Sequence, residues 1–309
     1  MTDFILALDG FSFRQHPGEL AALGTAFCWT LSALAHTAAA VRLGSLNLNV
    51  VRLAMAFVFL VLIGAAARGL PVPSDATAHN WLWLSLSGLV GFTVGDLCLF
   101  RAFVLIGPRL TMLVTSLVPI LAAIMGWAVL GEGISPRGIV GMALTVGGVA
   151  WVVLERRTPG IQQEASLSTA GILLALAAAA GQAVGLVLSK VGMGGYDPFA
   201  ATQIRIAAGF AGFVVIVFFM RGWPRLAAGL RNRAALGYAA IGALLGPAVG
   251  VGLSLMAVQH TRVGVAATIM SIVPVLIIPF VILIHRERVS FRAFLGALIA
   301  FAGVALLFL

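Results

Sequence analysis

The heptapeptide TSLVPIL at residues 115–121 decides the fold, because the chain repeats it almost unchanged as MSIVPVL at residues 270–276. Proline inside a long apolar run removes a helical hydrogen bond and crowds the preceding turn, so it is costly in both places. Pro119 and Pro274 lie 155 residues apart. A costly residue used twice in the same setting indicates two copies of one structural unit.

The composition places both copies in a membrane. Hydrophobic residues make up 61% of the chain and charged residues 9%, and the mean hydropathy is +1.10. A soluble domain, in contrast, carries about 25% charged residues. The net charge of +9 is typical of arginines that meet lipid headgroups at the ends of spans. We therefore expect a lipid bilayer, and no nucleic acid, among the partners.

Ten apolar runs approach the length of transmembrane helices, which is about 17–25 residues. They predict an all-α membrane protein with spans at residues 19–41, 50–67, 81–106, 109–130, 137–154, 169–190, 198–220, 234–258, 263–284 and 291–309. Residues 1–18 are expected to form an N-terminal tail. The polar stretch ERRTPGIQQEASLS at residues 155–168 is the expected linker between two sets of five spans, residues 19–154 and 169–309.

Further residue pairs obey the same spacing, so the two sets correspond. At a shift of 155 or 153 residues, the matched pairs include Gly91 with Gly246, Gly95 with Gly250, Glu132 with Glu287, Gly141 with Gly296, and Arg52 with Arg205. An odd number of spans per unit forces the second copy to enter the membrane from the opposite side. Inverted repeats of this kind are typical of secondary transporters, whose substrate site lies near the bilayer midplane at the repeat interface.

Both prolines are predicted to act as hinges. Each leaves a carbonyl one turn earlier, at Thr115 or Met270, without its helical donor. Nearby hydroxyls are expected to satisfy these carbonyls, namely those of Thr115, Ser116 and Ser271. Paired kinks at corresponding depths would shape a central cavity, whereas kinks that merely improve packing are the alternative.

Residues 115–154 and 270–308 resemble the EamA-domain repeat, which occurs in tandem in members of the drug/metabolite transporter (DMT) superfamily. A proline-containing helix is followed by a turn, Gly131-Glu132 or Arg286-Glu287, and then by a glycine-rich helix. The resemblance implies two tandem EamA repeats of five helices. It also implies movement of metabolites, amino acids or drugs across the inner (plasma) membrane by alternating access, often as export. We expect both glutamates to cap a helix or to form ion pairs at the membrane surface.

The orientation in the membrane stays open on sequence grounds. Five arginines are taken as embedded in spans: Arg52, Arg101, Arg109, Arg205 and Arg262. Of the remaining Lys and Arg residues, ten fall on the side of the linker and four on the side of the termini. The positive-inside rule then places both termini outside, whereas the resemblance implies cytoplasmic termini.

Asp96 is the main candidate for the transport site, because an ionisable group at membrane depth is costly and usually functional. It is predicted to bind a proton or a cationic substrate group, with Arg52 or Arg101 as its counter-ion. A fixed ion pair that ties helices together is the alternative. The equivalent residue of the second half is Val251, so this charge breaks the symmetry. Arg205, near the start of its span, is expected to reach the headgroups or to bind carbonyls at a helix end.

Trp29 and Gln182 occupy the same repeat position, in the middle of the first span of each half. Both are predicted to line the cavity, where an aromatic ring and an amide suit a small amphipathic substrate. Packing against helices or lipid is the alternative. Hydroxyl groups are expected in the same lining, from Thr111, Thr115, Ser116 and Ser271. His36, at the end of the first span, is a candidate for proton coupling or an ordinary polar helix end.

These features predict a secondary transporter of a small organic metabolite, working as an exporter, with protons as a candidate coupling ion. The sequence contains no GxxxxGK[ST] loop for ATP and no HExxH metal motif. We therefore expect no enzyme activity, no cofactor and no metal. Cys28 and Cys98 lie in apolar runs and are expected to fill the core. A non-transporting membrane scaffold or partner subunit is the alternative function.

Overall fold

The computed structural model describes residues 16–155, 168–285 and 291–308. Ten apolar helices account for almost all of these ranges. They are α1 Pro17–Leu43, α2 Ser45–Arg68, α3 Ala78–Gly107, α4 Leu110–Leu130, α5 Pro136–Glu155, α6 Thr169–Met193, α7 Pro198–Phe219, α8 Arg233–His260, α9 (Val263–Met270 continued by Val273–His285) and α10 Phe291–Leu307. A seven-residue helix, Trp223–Gly229, lies between α7 and α8.

The predicted all-α membrane fold is confirmed. Within the described residues, nine helices are long and apolar enough to cross a membrane, and α10 is a shorter apolar helix. Helix bounds differ from the predicted spans by a few residues, because polar and glycine-containing turns extend several helices beyond their apolar runs. The predicted tail before residue 16, residues 156–167 of the predicted linker and the Arg286-Glu287 turn lie outside the described residues.

Helices α5 and α10 pack against each other in opposite directions. A Cβ atom built on Gly141 would lie 3.0 Å from the Gly303 carbonyl oxygen, and one built on Gly148 would lie 2.6 Å from that of Gly296. A residue later in α5 therefore contacts a residue earlier in α10, as expected for antiparallel helices. Glycine at these positions lets the two backbones approach closely, which is the usual way that helices associate in lipid.

Helices α3 and α6 are antiparallel as well, and this fixes the relation between the two halves. Gly171, near the start of α6, packs on Ile106 near the end of α3, whereas Gly192 packs on Trp83 near the start of α3. Short turns make α1 and α3 run in the same direction through the bilayer. Helix α6 therefore runs opposite to α1, and the second half is inverted.

Helices α1 and α8 repeat this contact at the equivalent place. Gly242 of α8 packs on His36, and Gly250 packs on Trp29, which precedes His36 in α1. The direction is again antiparallel, as the inverted relation requires. The two contacts, α3 with α6 and α1 with α8, join the halves on either side of a pseudo-twofold axis.

The third helix of each half widens into a π-helical segment at the same repeat position. These segments are Leu89–Gly95 and Leu244–Gly250, and each contains a GxxxG pair, Gly91 with Gly95 and Gly246 with Gly250. A π-helical turn inserts one extra residue and is frequent at functional sites. It ends directly before Asp96 in α3 and before Val251 in α8.

Helices α4 and α9 break where the repeated proline motif predicts a kink. The helical path is interrupted at Ser116-Leu117 and again at Ser271-Ile272. The predicted role of the hydroxyls is wrong, however. Each donates to a carbonyl three residues earlier, Thr115 to Met112 at 3.1 Å, Ser116 to Leu113 at 2.6 Å and Ser271 to Thr268 at 2.7 Å. Their short side chains reach the preceding turn and not the carbonyls that the prolines free.

Two arginines that were taken as embedded in spans lie at connections. Arg262 follows Thr261, whose extended backbone (φ −135°, ψ 177°) ends α8. Arg109 follows Gly107, whose backbone (φ 76°, ψ 163°) separates α3 from α4. Both breaks fall between the predicted spans, at residues 107–108 and 259–262, so the arginines beside them mark span ends.

We predict that Gly148→Ala lowers the unfolding temperature, measured by thermal unfolding in detergent. Its Cβ would lie 2.5 Å from Ala300 N and 2.6 Å from Gly296 O, and forcing α5 and α10 apart costs about 1–3 kcal/mol. Gly147→Ala is the matched control, since a Cβ there meets nothing within 4 Å and the repeat equivalent is already Ala302. Equal unfolding temperatures for the two variants would contradict this contact.

Candidate functional site

A cavity of about 480 Å³ lies between the two halves. Both repeats contribute to its lining. Nine of the residues predicted for the site are among those that line it: Trp29, His36, Arg52, Asp96, Thr115, Ser116, Gln182, Ser271 and Pro274. The volume is within the range of about 300–1,000 Å³ found for small-molecule pockets.

The lining follows the pseudo-twofold axis. Its repeat-related pairs include Trp29 with Gln182, Arg52 with Arg205, Gly91 with Gly246, Asp96 with Val251, and Ser116 with Ser271. The cavity is therefore at the repeat interface. Several of these pairs differ in chemistry, so a symmetric backbone presents an asymmetric set of polar groups.

Arg52 and Asp96 form an ion pair inside the cavity lining. Nη2 of Arg52 donates a hydrogen bond to Oδ2 of Asp96, and the two side chains are only 18% and 13% exposed. Charge-assisted bonds of this kind are stronger where water is scarce. Arg101, the other predicted counter-ion, is exposed and lies outside the lining.

Trp29 and Gln182 each face a glycine of the opposite half. A Cβ on Gly250 would lie 2.8 Å from Nε1 of the Trp29 side chain, and one on Gly95 would lie 3.9 Å from the backbone nitrogen of Gln182. These glycines end the two π-helical segments. They leave room for the first helix of each repeat to reach the cavity.

His36 is held by a short chain of hydrogen bonds. The Ser32 hydroxyl donates to the Gly242 carbonyl at 2.8 Å, and its oxygen lies 3.2 Å from Nδ1 of His36. A serine has one proton to donate, so Nδ1 carries the hydrogen of that second bond. The buried Nε2 has no hydrogen-bond partner among the described residues. A part in proton coupling stays a prediction.

Three predicted residues do not line the cavity. Thr111 is fully buried and its hydroxyl donates to the Gly107 carbonyl at 2.8 Å. Pro119 is buried at the second position of the helix that follows the break in α4, and Arg101 is exposed outside the lining. One charged residue of the lining was missed: Arg205 lines the cavity and is 6% exposed, so it does not reach the headgroups. Its match to Arg52 was the signal that could have found it.

A polar cluster joins the two halves at the face of the membrane where α1 begins and α4 ends. Nζ of Lys190 lies 2.7 Å from Oε1 of Glu132 and donates to the Thr261 carbonyl at 2.7 Å. Oε2 of Glu132 accepts from the amide of Val263 at 2.7 Å, and the Thr261 hydroxyl donates to Glu19 at 2.8 Å. We call these five residues the Glu132 cluster.

The Gly131-Glu132 turn orients the Glu132 carboxylate toward the second half. Gly131 has a left-handed backbone (φ 67°), which favours glycine because a Cβ would be crowded there. Its amide bonds the Trp127 carbonyl at 3.1 Å, and the Glu132 amide bonds that of Gly126 at 3.2 Å. This helix-ending motif turns Glu132 back toward the second half.

A second set of polar contacts joins the halves on the same face. The Tyr196 hydroxyl donates to Oδ1 of Asp75 at 2.7 Å, and Arg68 pairs with the other oxygen of Asp75. The bond from Tyr196 holds the pKa of Asp75 below its usual value. Partial burial and the same bond raise the pKa of Tyr196 to about 12. This face is therefore closed by polar contacts between the repeats.

The opposite face has no equivalent of the lysine. The residue of α1 that corresponds to Lys190 is Thr37, whose hydroxyl donates to the Ala33 carbonyl of its own helix at 2.7 Å. The residue that corresponds to Glu132 is Glu287, outside the described residues. The Lys–Glu contact is thus specified at one face only.

Comparison with known proteins relates this architecture to a family. The family model described as "EamA-like transporter family" matches residues 16–154 and 169–309. Among solved structures, 28 chains match. One, described as "Crystal structure of protein", has a TM-score of 0.71 and 17% sequence identity, covering 94% of this chain and 96% of its own. At that identity the likeness concerns the fold alone. No curated protein matches significantly.

We predict that Asp96→Asn lowers the free energy of unfolding by about 3–5 kcal/mol, because it leaves Arg52 charged and unpaired in a buried site. The exchange of both residues, Arg52→Asp with Asp96→Arg, should recover much of that loss by restoring the pair. Arg101→Gln is the control on the same helix and should have little effect. Denaturation in detergent measures all three, and an unchanged stability for Asp96→Asn would contradict the buried pair.

Proposed function

The chain belongs to the EamA-like transporter family, and we propose that it exports a small organic metabolite across the plasma membrane by alternating access. The family is a transporter family and the chain is a multi-pass membrane protein, so a small-molecule substrate and a bilayer are its general partners. We propose three further points: transport is in the direction of export, the substrate is a small organic metabolite, and the membrane is the plasma membrane.

The cavity at the inverted-repeat interface is the observation that carries this proposal. Its lining holds the Arg52–Asp96 ion pair among mostly apolar residues. Charged groups at membrane depth are costly, and they mark substrate or ion pathways in membrane proteins. A purely structural bundle would have no need of a cavity of this size with buried charges between its halves.

The closure of one face supports an alternating-access cycle. The Glu132 cluster crosses between the repeats on one side of the cavity and must separate for that side to open. The breaks at Ser116-Leu117 and Ser271-Ile272 lie beside the cavity, where Ser116 and Ser271 line it. We propose that the helix segments beyond Pro119 and Pro274 swing about these breaks, since the helical hydrogen bonds that would resist bending are interrupted there.

Asp96 is the proposed proton carrier. A proton on its carboxylate would neutralise Asp96 and release Arg52 from the ion pair. Proton binding would thereby change the charge of the cavity and could couple transport to a proton gradient, as carboxylates do in membrane pumps and transporters.

The function is tested by expressing the chain at a high level and challenging cells with a panel of amino acids and toxic analogues. We expect resistance to at least one compound, with a lower concentration of it inside the cells. The Arg52→Asp, Asp96→Arg exchange should fold but confer no resistance, because it moves the carboxylate to another helix. Arg101→Gln should confer resistance like the unaltered chain. Sensitisation would indicate uptake, and resistance from the exchange variant would show that the ion pair is only structural.

We predict that Lys190→Met opens the face that carries the Glu132 cluster. The test places Ser254→Cys, a cavity-lining position in the half of α8 nearer that face, in a chain with Cys28→Ala and Cys98→Ala. A membrane-impermeant thiol reagent applied from that face should label it severalfold faster after Lys190→Met.

Arg137→Met is the control for charge, because Arg137 is exposed on the same face and is outside the Glu132 cluster. It should leave the labelling rate unchanged. The same acceleration in both variants would mean that surface charge, and not the Lys190–Glu132 contact, controls access.

A further inference from the structure

The second buried arginine of the cavity has no anionic partner. Arg205 is 6% exposed and lines the cavity, and its Nε is buried without a hydrogen-bond acceptor. None of the ion pairs between described residues includes it. Its visible partner is an aromatic ring, since Cζ lies 5.2 Å from the centroid of Phe92.

The helix packing holds Arg205 in this place. A Cβ atom on Gly88 would lie 2.2 Å from the Arg205 carbonyl oxygen, so α3 and α7 cross with their backbones in contact. The guanidinium passes Gly91, where a Cβ would lie 3.5 Å from Nη2. Two glycines of α3 thus make room for the arginine and leave its charged end at the cavity.

The charges of the lining do not balance. The titratable side chains that line the cavity are His36, Arg52, Asp96 and Arg205. Arg52 and Asp96 neutralise each other. The buried Nε2 of His36 has no acceptor for a second ring proton among the described residues, which favours the neutral ring, so one positive charge remains. A ring face offsets only about 2 kcal/mol of the cost of a desolvated cation. A buried cation normally has an anion beside it.

Comparison of the two repeats shows which carboxylate the second half lacks. In the first half Arg52 pairs with Asp96, whereas the residues at the same repeat positions in the second half are Arg205 and Val251. The second half therefore keeps the arginine and lacks the carboxylate. A ligand that brings a carboxylate would complete it, and the planar guanidinium binds this group through two parallel hydrogen bonds.

We propose that the cavity recognises substrates that carry a carboxylate, and that the Arg205 guanidinium binds it. This inference rests on the proposed transport function and narrows its substrates to organic monoanions and zwitterions. Gln182 offers an amide for other polar atoms, and Trp29 and Phe92 offer aromatic surface for the apolar part.

The first test compares the same substitution at the two repeat-related arginines, using thermal unfolding of the purified chain without ligand in a nonionic detergent. Arg205→Gln removes an unpaired buried charge and should raise the unfolding temperature, by about 2–4 °C. Arg52→Gln leaves Asp96 unpaired and should lower it. A guanidinium that only stabilises the fold would give a fall in both variants, and that result would overturn the proposal.

The second test uses butyrate as a small probe, with butyramide as its neutral isostere and sodium chloride as the control for ionic strength. Butyrate should raise the unfolding temperature of the unaltered chain in a saturable manner, beyond both controls. Arg205→Gln should abolish this shift, and Arg205→Lys, which keeps the charge but loses the planar fork, should retain part of it. Equal shifts with butyrate and butyramide, or a shift that survives Arg205→Gln, would overturn the proposal.

These binding readouts separate the two proposals. Carboxylate binding that depends on Arg205, with neither resistance nor sensitisation in cells, would leave the site intact and refute transport. Resistance that Arg205→Gln leaves unchanged would refute the carboxylate site and leave transport intact.

Discussion

Close contact between antiparallel helices at glycine residues is the constraint on which the whole structure depends. In lipid, helices gain little from burying apolar side chains, and they associate where small residues let their backbones meet. Gly148 against Gly296 and Gly185 against Gly91 are such contacts. Each joins one repeat to the other in opposite directions, so the contacts that hold the bundle together fit the inverted relation that five spans per repeat require. The cavity follows, because it is the space that the two halves leave between them.

Several polar groups of the candidate site and of the closed face lie at positions where the two repeats differ in side chain. Equivalent positions share a backbone path but differ in side chain. Asp96 is matched by Val251, and Lys190 by Thr37. The first difference gives one arginine a carboxylate and leaves the other without one. The second allows a Lys–Glu contact at one face of the membrane only. A symmetric scaffold with asymmetric polar residues can close one face firmly and bind a substrate in one orientation.

Much of the fold and part of the site could be predicted from the sequence. Long apolar runs fixed the helices, and the repeated proline motif fixed where α4 and α9 break. The hydrogen-bond and ion-pair partners of individual polar groups were harder to predict. The hydroxyl of Thr115 was expected to serve the carbonyl freed by Pro119 and instead bonds the preceding turn. Arg205 was expected at the headgroups or at the carbonyls of a helix end, and it lines the cavity instead. Its place could not be predicted, because the position along a helix does not tell which face the side chain occupies or what packs over it.

The sequence by itself determined that this is a ten-helix membrane protein built from two equivalent, oppositely inserted units. Composition sets the solvent, and an odd number of spans sets the inversion, so neither depends on how the helices pack. Only the tertiary structure decided which ionisable groups meet. Arg52 reaches Asp96 rather than another carboxylate, and Arg205 reaches none in the described part of the chain. The reason is geometric: these pairings join different helices, and their distances depend on crossings that glycine allows but no local pattern in the sequence records.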